Sequence, residues 1–337
     1  MFLELHKSDL ENGKKVQITG SKSESNRLLL LQNLFPEIEI ENISNSDDSQ
    51  LMQKALSSKS DVIDIHHAGT AMRFLTAYFA TQKSREITIT GSSRMKERLI
   101  KILVDALRDL GAEITYLEND GFPPLQIKGK VLDKNKVTLR ANVSSQYISA
   151  LLLIGSKMQN GIILELDGEI TSVPYINMTL ALLNEIGVET NFKDNIITVK
   201  SIQSQVTKIK LVVESDWSSA SYFYSIIALS PEGTQITLSS YKENSLQGDS
   251  SLVEIYKLFG VETKFSENSI AISKVSAHSD SINLDLSNSP DIAQTIAVTC
   301  FGLGISCFLK GLHTLKIKEP VIHTVYINII FFCVLLD

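Results

Sequence analysis

One short pattern recurs three times along this chain of 337 residues: an amphipathic helical segment, a glycine, and a short strand-like segment. The three glycines are Gly111, Gly187 and Gly260, at intervals of 76 and 73 residues. A glycine directly after an amphipathic helix predicts a left-handed residue that ends the helix. The period is longer than the roughly 20 to 50 residues of solenoid repeats, and it fits a small α/β unit repeated along the chain.

A second series of helix starts has nearly the same period. Small polar residues open apolar helical segments at Ser144, Ser218 and Asp291, which are 74 and 73 residues apart. Pro290 suits the first position of the third helix, because proline lacks the N–H that a helix start leaves unpaired. Further apolar helices are predicted at residues 26–35 and 70–80. Each repeat should therefore contain two helices and several short strands, which predicts an α/β fold.

The length gives an expectation of two domains. Two junctions between a strand-like run and a polar helix start are candidate hinges, at Gly20-Ser21 and at residues 212–216. If both are hinges, residues 21–213 form one domain. Residues 1–20 and 214–337 then form a second, discontinuous domain.

Composition excludes several classes of protein. With 32 Lys and Arg against 38 Asp and Glu, the net charge of -6 has the wrong sign for a protein that binds nucleic acid by neutralising phosphates. Cys300, Cys307 and Cys333 are too few for a disulfide framework and favour a reducing compartment. The first nine residues are too charged for a signal peptide, and the apolar segment 321–336 is shorter than a membrane-spanning helix. We expect a cytoplasmic protein that binds neither nucleic acid nor membrane.

The segment from Gly20 to Arg27 is the richest in candidate binding groups. It is not a P-loop, because Ser21 separates Gly20 from Lys22 and the spacing of earlier glycines is wrong. A helix start with several hydroxyls and two cations has the chemistry of an anion site. The same residues also fit a serine N-cap with Lys22 and Arg27 in solvent, and the segment alone does not decide between the two.

Two further helix starts have features of anion sites. Gly69 opens the helix predicted at residues 70–80 and would let a ligand approach the backbone closely. Arg94, Lys96 and Arg98 precede the helix predicted at residues 99–110, where the helix dipole disfavours cations and a bound anion would offset that cost. A loop-to-helix turn and a solvated charged face are the alternative interpretations.

Candidates for acid-base chemistry are Asp291 and Glu319, although an Asp at a helix start commonly caps the helix and Lys318-Glu319 fits a surface pair. His66 and His67 are adjacent and are expected to point to opposite faces of a strand, which would prevent joint metal binding. The sequence has no glycine-rich dinucleotide fingerprint. We therefore expect neither a metal nor an organic cofactor.

The order of these motifs resembles that of the EPSP synthase family, 3-phosphoshikimate 1-carboxyvinyltransferases, from near the N-terminus to Glu319. The segments that carry the resemblance are Ser21 to Arg27, Ala68 to Arg73, Arg94 to Arg98, Ser144 to Gln146, Ser172 to Tyr175, Ser245 to Asp249, Pro290-Asp291 and Ile317 to Glu319. The resemblance implies an α/β fold of two lobes built from βαβαββ units. Residues 21–213 would be a complete lobe of three units, and the discontinuous lobe would lack its last part.

The resemblance also implies a reaction, the transfer of an enolpyruvyl group from phosphoenolpyruvate to the 5-hydroxyl of shikimate 3-phosphate in aromatic amino-acid biosynthesis. By resemblance, the residues that hold shikimate 3-phosphate are Lys22, Ser23, Arg27, Ser144, Ser145, Gln146, Ser172, Tyr175, Asp291 and Lys318. Those that meet phosphoenolpyruvate are Lys22, Gly69, Arg98 and Gln146. The implied catalytic residues are Lys22, Asp291, which would orient or deprotonate the hydroxyl, and Glu319, which would move a proton at the methylene carbon. No cofactor is implied, and we expect a monomer.

One departure from the family pattern follows Glu319. The family continues with Thr-Asp-Arg and more than a further unit, whereas this sequence continues with Pro320 and stops at Asp337. We therefore expect a C-terminally truncated or frameshifted chain with impaired transferase activity. A noncatalytic remnant that binds phosphorylated ligands is one alternative. The related transferase that acts on UDP-N-acetylglucosamine is another, but it uses a cysteine in its cation-rich segment, and no Cys precedes Cys300 here.

Overall fold

A computed structural model of the chain describes residues 4, 6, 10–141, 143–170, 173–202, 207–276 and 281–312. The chain divides into two compact units. The first is Thr19–Glu214, here called the 19–214 unit. The second, here called the discontinuous unit, combines Met1–Ile18 with Ser215–Asp337. The chain therefore passes from one unit to the other twice, and the domain limits predicted from the sequence lie just inside those of the 19–214 unit.

Short strands alternate with helices along the described residues. The strands are β1 (Lys15–Val16), β2 (Ile38–Glu41), β3 (Val62–Asp64), β4 (Glu86–Thr90), β5 (Glu113–Tyr116), β6 (Leu125–Lys128), β7 (Lys136–Arg140), β8 (Ile162–Asp167), β9 (Thr190–Lys193), β10 (Ile196–Val199), β11 (Ile209–Val212), β12 (Gln235–Ser239), β13 (Val261–Ser266), β14 (Ser269–Lys274), β15 (Ser281–Asp285) and β16 (Ser306–Lys310). The helices are α1 (Lys22–Leu34), α2 (Asp47–Ser57), α3 (Gly69–Thr81), α4 (Lys101–Asp109), α5 (Ser145–Gly155), α6 (Val173–Glu185), α7 (Trp217–Ala228), α8 (Leu252–Lys257) and α9 (Ala293–Leu303).

Two sheets of the 19–214 unit repeat one strand order. They run β3-β4-β6-β5 and β7-β8-β10-β9. In each, the first two strands are parallel and the following pairs are antiparallel. A parallel pair needs a crossover, which α3 and α5 supply, whereas the antiparallel pairs need only short connections. Each sheet with its helices is thus one βαβαββ unit, as the resemblance implies.

The discontinuous unit contains the same sheet pattern, but its first strand comes from a distant part of the sequence. Its sheet order is β1-β12-β14-β13, with β1 parallel to β12. The strand that directly precedes α7 in the chain, β11, instead pairs in parallel with β2 inside the 19–214 unit. Strands β1 and β11 lie next to the two points where the chain passes between the units, and each pairs with a strand that is distant in the sequence. Because β1 pairs with β12, the second unit is discontinuous in the sequence.

The three repeated glycines have the left-handed backbone that the sequence predicts. Their φ angles are 106° at Gly111, 89° at Gly187 and 70° at Gly260. Each follows a helix and precedes a strand, so the sequence prediction of a helix-ending glycine is confirmed.

The central helices of the 19–214 unit are buried over almost their whole surface. Eleven of the thirteen residues of α3 and ten of the eleven of α5 are buried. Near the carboxyl ends of α1, α3 and α5, the residues Asn33, Gln82 and Ile154 line one surface cavity. The three helices therefore run side by side in one direction, so their amino ends lie together at the opposite end of the bundle.

The core of the discontinuous unit is rich in aromatic residues. Trp217, the one tryptophan of the sequence, is fully buried and lies edge-on to Tyr241 with ring centroids 4.7 Å apart. None of the described helices is both long and apolar enough to cross a membrane.

Candidate functional site

The amino ends of α1 and α5 are set by serine caps encoded locally in the sequence. Ser21 Oγ accepts a hydrogen bond from the Glu24 N–H at 3.5 Å, and Ser144 Oγ accepts one from the Gln146 N–H at 3.4 Å. A side-chain cap of this kind pairs one of the four N–H groups that a helix start leaves without an intrahelical partner. The remaining N–H groups and the helix dipole favour a nearby anion.

The start of α3 lacks a side-chain cap of its own, since Ala68 occupies the cap position. The side chain of Asp48, on α2, takes that role: its Oδ1 accepts from the Ala71 N–H at 3.1 Å and from Asn26 Nδ2 at 2.9 Å. This carboxylate joins α1, α2 and α3. On the other side of α3, Gln146 Nε2 donates to Thr70 Oγ1 at 3.4 Å and joins α3 to α5.

Two guanidinium groups lie against the backbone of Gly69. A Cβ atom placed on Gly69 would be 2.5 Å from Arg98 Nη1 and 2.9 Å from Arg73 Nη1, so a side chain at this position would displace both. Arg73 Nη1 also donates to the Gly69 carbonyl at 2.7 Å. Its Nε is buried and has no hydrogen-bond partner among the described residues. The start of α3 therefore combines helix N–H groups with two cations.

Tyr147 connects these two cations. The Arg73 guanidinium lies over the Tyr147 ring, 5.7 Å from its centroid, and the Tyr147 hydroxyl donates to the Leu99 carbonyl at 2.7 Å. Leu99 directly follows Arg98, so this hydrogen bond fixes the backbone next to the Arg98 side chain. An aromatic residue on α5 thus helps to determine where Arg98 lies.

Arg27 has a more interior position than the sequence predicts. Its exposed fraction is 2%, and four hydrogen bonds hold its guanidinium. The acceptors are Thr179 Oγ1 at 2.7 Å, the Ser23 carbonyl at 2.7 Å, Ser149 Oγ at 3.0 Å and the Tyr175 carbonyl at 3.2 Å. Burial lowers its pKa to about 10. Arg27 therefore joins α1 to α5 and α6, and the alternative of a solvated Arg27 is wrong.

The other residues expected to bind substrate differ in exposure. Lys22 and Ser144 are exposed, Ser23, Tyr175 and Gln146 are half-buried, and Ser145 is buried. All six belong to the first turn of α1, α5 or α6, or to the cap position before it. The structure therefore brings most of the predicted residues of the 19–214 unit to neighbouring helix starts.

Four predicted residues do not belong to this group. Ser172, Lys318 and Glu319 lie outside the described residues. Asp291 belongs to the discontinuous unit, where it is half-buried in a 3-10 turn, Pro290–Ile292, directly before α9.

The cation cluster at residues 94–98 divides into different environments. Lys96 Nζ lies 2.5 Å from Glu118 Oε1, whereas the Arg98 side chain reaches Gly69. The residues Met95–Glu97 form a 3-10 turn, and α4 begins only at Lys101. The three cations therefore do not act as one cluster at the start of that helix.

The expectation that His66 and His67 point to opposite faces of a strand is wrong. Strand β3 ends at Asp64, and His66 has a φ of 48°, so the alternation of extended backbone does not apply to this pair. The two Nδ1 atoms are 2.6 Å apart, and His67 Nε2 lies 3.5 Å from Asp47 Oδ2. Within the described part of the chain, no three His, Cys, Asp or Glu side chains are grouped so as to hold a metal ion.

Sequence reasoning assigned no role to several residues that organise the site. These are Asn26, Asp48, Thr70, Arg73 and Tyr147. A signal existed for Arg73, because a residue four positions after Gly69 on a helix lies on the same face and can reach back to it. The contacts of Asp48 and Tyr147 join segments far apart in the sequence, and no local sequence pattern predicts them.

Comparison with known proteins identifies the family. The sequence profile of EPSP synthase (3-phosphoshikimate 1-carboxyvinyltransferase) matches residues 54–320. The 3-phosphoshikimate 1-carboxyvinyltransferase of Bacteroides fragilis is 46% identical over 308 residues, which cover 90% of this chain and 74% of that protein. The enzyme of the same name from Haemophilus influenzae is 34% identical, covering 90% of this chain and 76% of that protein. The fold is similar to that of EPSP synthase from Acinetobacter baumannii, with a TM-score of 0.72 at 20% identity over 91% of this chain and 75% of that one. The chain belongs to the EPSP synthase family.

Proposed function

We propose that the chain transfers the enolpyruvyl group of phosphoenolpyruvate to the 5-hydroxyl of shikimate 3-phosphate and releases phosphate. The names of its relatives support the reaction. The single observation that carries the proposal is the meeting of Arg98, Arg73 and the amino end of α3 at Gly69. Both substrates carry a phosphate and a carboxylate, and such groups are stabilised by helix N–H groups and by guanidinium donors.

The start of α3 is the proposed phosphoenolpyruvate site. Gly69 has no side chain and so lets Arg98 and Arg73 approach the helix start, Arg98 supplies charge, and Gln146 is held at this point by Thr70. The buried Arg73 Nε is a donor that a bound anion could satisfy. Lys22, exposed at the start of α1, would contact both substrates.

Shikimate 3-phosphate is proposed to bind at the starts of α1, α5 and α6. Ser23, Ser144, Ser145 and Tyr175 belong to these starts, and Ser172 precedes α6. Hydroxyl groups and backbone N–H groups match a phosphorylated, hydroxylated ring better than an apolar ligand. Arg27 would act mainly by fixing these helix starts.

The proposed chemistry is addition followed by elimination. The 5-hydroxyl oxygen bonds to C2 of phosphoenolpyruvate while C3 gains a proton, and loss of phosphate and of a C3 proton then restores the double bond. Asp291 is the proposed group that orients or deprotonates the hydroxyl, Glu319 the proposed group at C3, and Lys318 a proposed contact to shikimate 3-phosphate. The residues of the 19–214 unit would bind and orient the two anions.

The test is phosphate release with both substrates, with mass-spectrometric detection of the enolpyruvyl product. We expect release only when both substrates are present, and none when shikimate replaces its 3-phosphate. Arg98→Met should raise the KM for phosphoenolpyruvate roughly tenfold to 150-fold, because one charged contact contributes about 1.5 to 3 kcal/mol.

Lys96→Met is the matched control, since this cation of the same segment pairs with Glu118 and is not assigned to the site. It should leave the KM unchanged. Equal effects of the two substitutions would contradict the assignment of Arg98. Absence of product from a folded chain that binds neither substrate would contradict the proposed reaction.

A further inference from the structure

We propose that Cys300 and Cys307 form a redox-active dithiol, which low-molecular-weight disulfides such as glutathione disulfide convert into an intramolecular disulfide. The pair lies at the junction of α9 and β16 in the discontinuous unit. Neither cysteine is among the residues to which substrate binding is assigned.

The end of α9 brings the two cysteines together. Gly304 has a left-handed φ of 67° and caps the helix, and the Ile305 N–H donates to the Cys300 carbonyl at 2.9 Å. A helix end of this type reverses the chain over the last helical turn. Strand β16 begins at Ser306 and packs back against α9. As a result, Cys300 and Cys307 lie close enough for each thiol to shift the pKa of the other, although they are seven positions apart in the sequence.

The two thiols differ in access. Cys300 is buried, with 1% of its surface exposed, whereas Cys307 is exposed to solvent. Both are in the thiol form, with no disulfide between them. The pair therefore consists of one accessible thiol and one buried thiol in contact with it, which is the arrangement of an attacking and a resolving cysteine.

The contact also makes the two thiols chemically unequal. Interaction with the Cys300 thiol lowers the pKa of the Cys307 thiol to about 7. The same interaction, together with burial, raises the pKa of Cys300. The exposed cysteine therefore forms the thiolate more readily than an ordinary cysteine does, and the thiolate is the form that attacks disulfides.

The reaction balances in two exchange steps. The Cys307 thiolate attacks one sulfur of glutathione disulfide, breaks its S–S bond, and releases one glutathione thiolate. Cys300 then loses its proton to solvent and attacks the Cys307 sulfur, which releases the second glutathione. Overall, two protein thiols are oxidised by two electrons, and one disulfide is reduced to two thiols.

The experiment treats the native chain carrying Cys333→Ser with glutathione disulfide, alkylates the remaining thiols, and determines intact mass and peptide connectivity. Cys333 lies outside the described residues, and its replacement leaves only the pair. We expect an internal Cys300–Cys307 disulfide, two glutathione molecules released per chain, and no retained glutathione. The Cys300→Ser variant should stop at one glutathione bound to Cys307. The Cys307→Ser variant should not react until it is unfolded, because Cys300 is buried.

Two results would overturn the proposal. One is retention of glutathione on Cys307 with Cys300 alkylated, which would mean that the buried thiol does not resolve the adduct. The other is no reaction in the native state when both thiols react in urea, which would mean that Cys307 is not accessible. Neither result depends on the folding of the single-cysteine variants, because both are read from a chain with the pair intact.

Discussion

Arg27→Met should destabilise the 19–214 unit more than it perturbs any single ligand contact. The substitution keeps an apolar side chain of similar length and removes four hydrogen bonds to a cation. Each would contribute about 1.5 to 3 kcal/mol if its acceptor were left unpaired. The acceptors keep other partners, however: Ser149 Oγ and Thr179 Oγ1 lie 2.8 Å apart, and Thr179 also donates to the Tyr175 carbonyl. We therefore expect less than 1 kcal/mol per bond and about 3 kcal/mol in all.

The assay is urea unfolding followed by two signals. With an m-value of about 2 kcal/mol per molar, a loss of about 3 kcal/mol lowers the midpoint by about 1.5 M urea. Far-UV circular dichroism reports both units, whereas fluorescence of the one tryptophan, Trp217, reports the discontinuous unit. The part of the dichroism transition due to the 19–214 unit should move, and the Trp217 transition should move less. The structural role would be refuted if the dichroism transition were unchanged and the only effect were weaker binding of shikimate 3-phosphate. Arg27 would then have a purely ligand-binding role.

Two other substitutions test particular contacts. Tyr147→Phe keeps the ring but removes the hydroxyl that donates to the Leu99 carbonyl, next to Arg98. Since a net hydrogen bond contributes about 1 kcal/mol, calorimetry should show phosphoenolpyruvate binding weakened about fivefold and shikimate 3-phosphate affinity unchanged. Equal loss of both affinities would contradict this. Gly20→Ala places a Cβ atom 1.8 Å from the Asn42 carbonyl oxygen, which requires a backbone shift. The shift should lower the free energy of unfolding in urea by about 3 kcal/mol. An unchanged midpoint of urea unfolding would show that the backbone at Gly20 adjusts freely.

Local chemistry explains which parts of the fold the sequence could predict. The caps Ser21 and Ser144 and the left-handed Gly111, Gly187 and Gly260 depend on residues within one helical turn, and their pattern is visible in the sequence. The helix starts and the repeat are predictable for that reason. The order of these local motifs also carries the family resemblance, since each motif belongs to a helix start.

Contacts between distant segments explain what the sequence could not predict. Arg27 is buried because Ser149 and Thr179 come from helices more than a hundred positions away. The pairing of β11 with β2 has no local signature, because a parallel partner is chosen by the packing of whole units. His66 and His67 do not point to opposite sides, because His66 has a left-handed backbone conformation instead of an extended one. The neighbouring residues in the sequence do not predict this conformation.

The most direct test of the proposed anion site is calorimetric titration of the chain with shikimate 3-phosphate, compared with its Lys22→Met and Lys96→Met variants. Lys22 lies in the first turn of α1, whereas Lys96 is paired with Glu118. We expect one molecule bound per chain, unchanged affinity in Lys96→Met, and at least tenfold weaker binding in Lys22→Met, since one charged contact contributes about 1.5 kcal/mol or more. A folded chain that binds no shikimate 3-phosphate, or a Lys22→Met variant that binds it as tightly as the parent, would contradict the account.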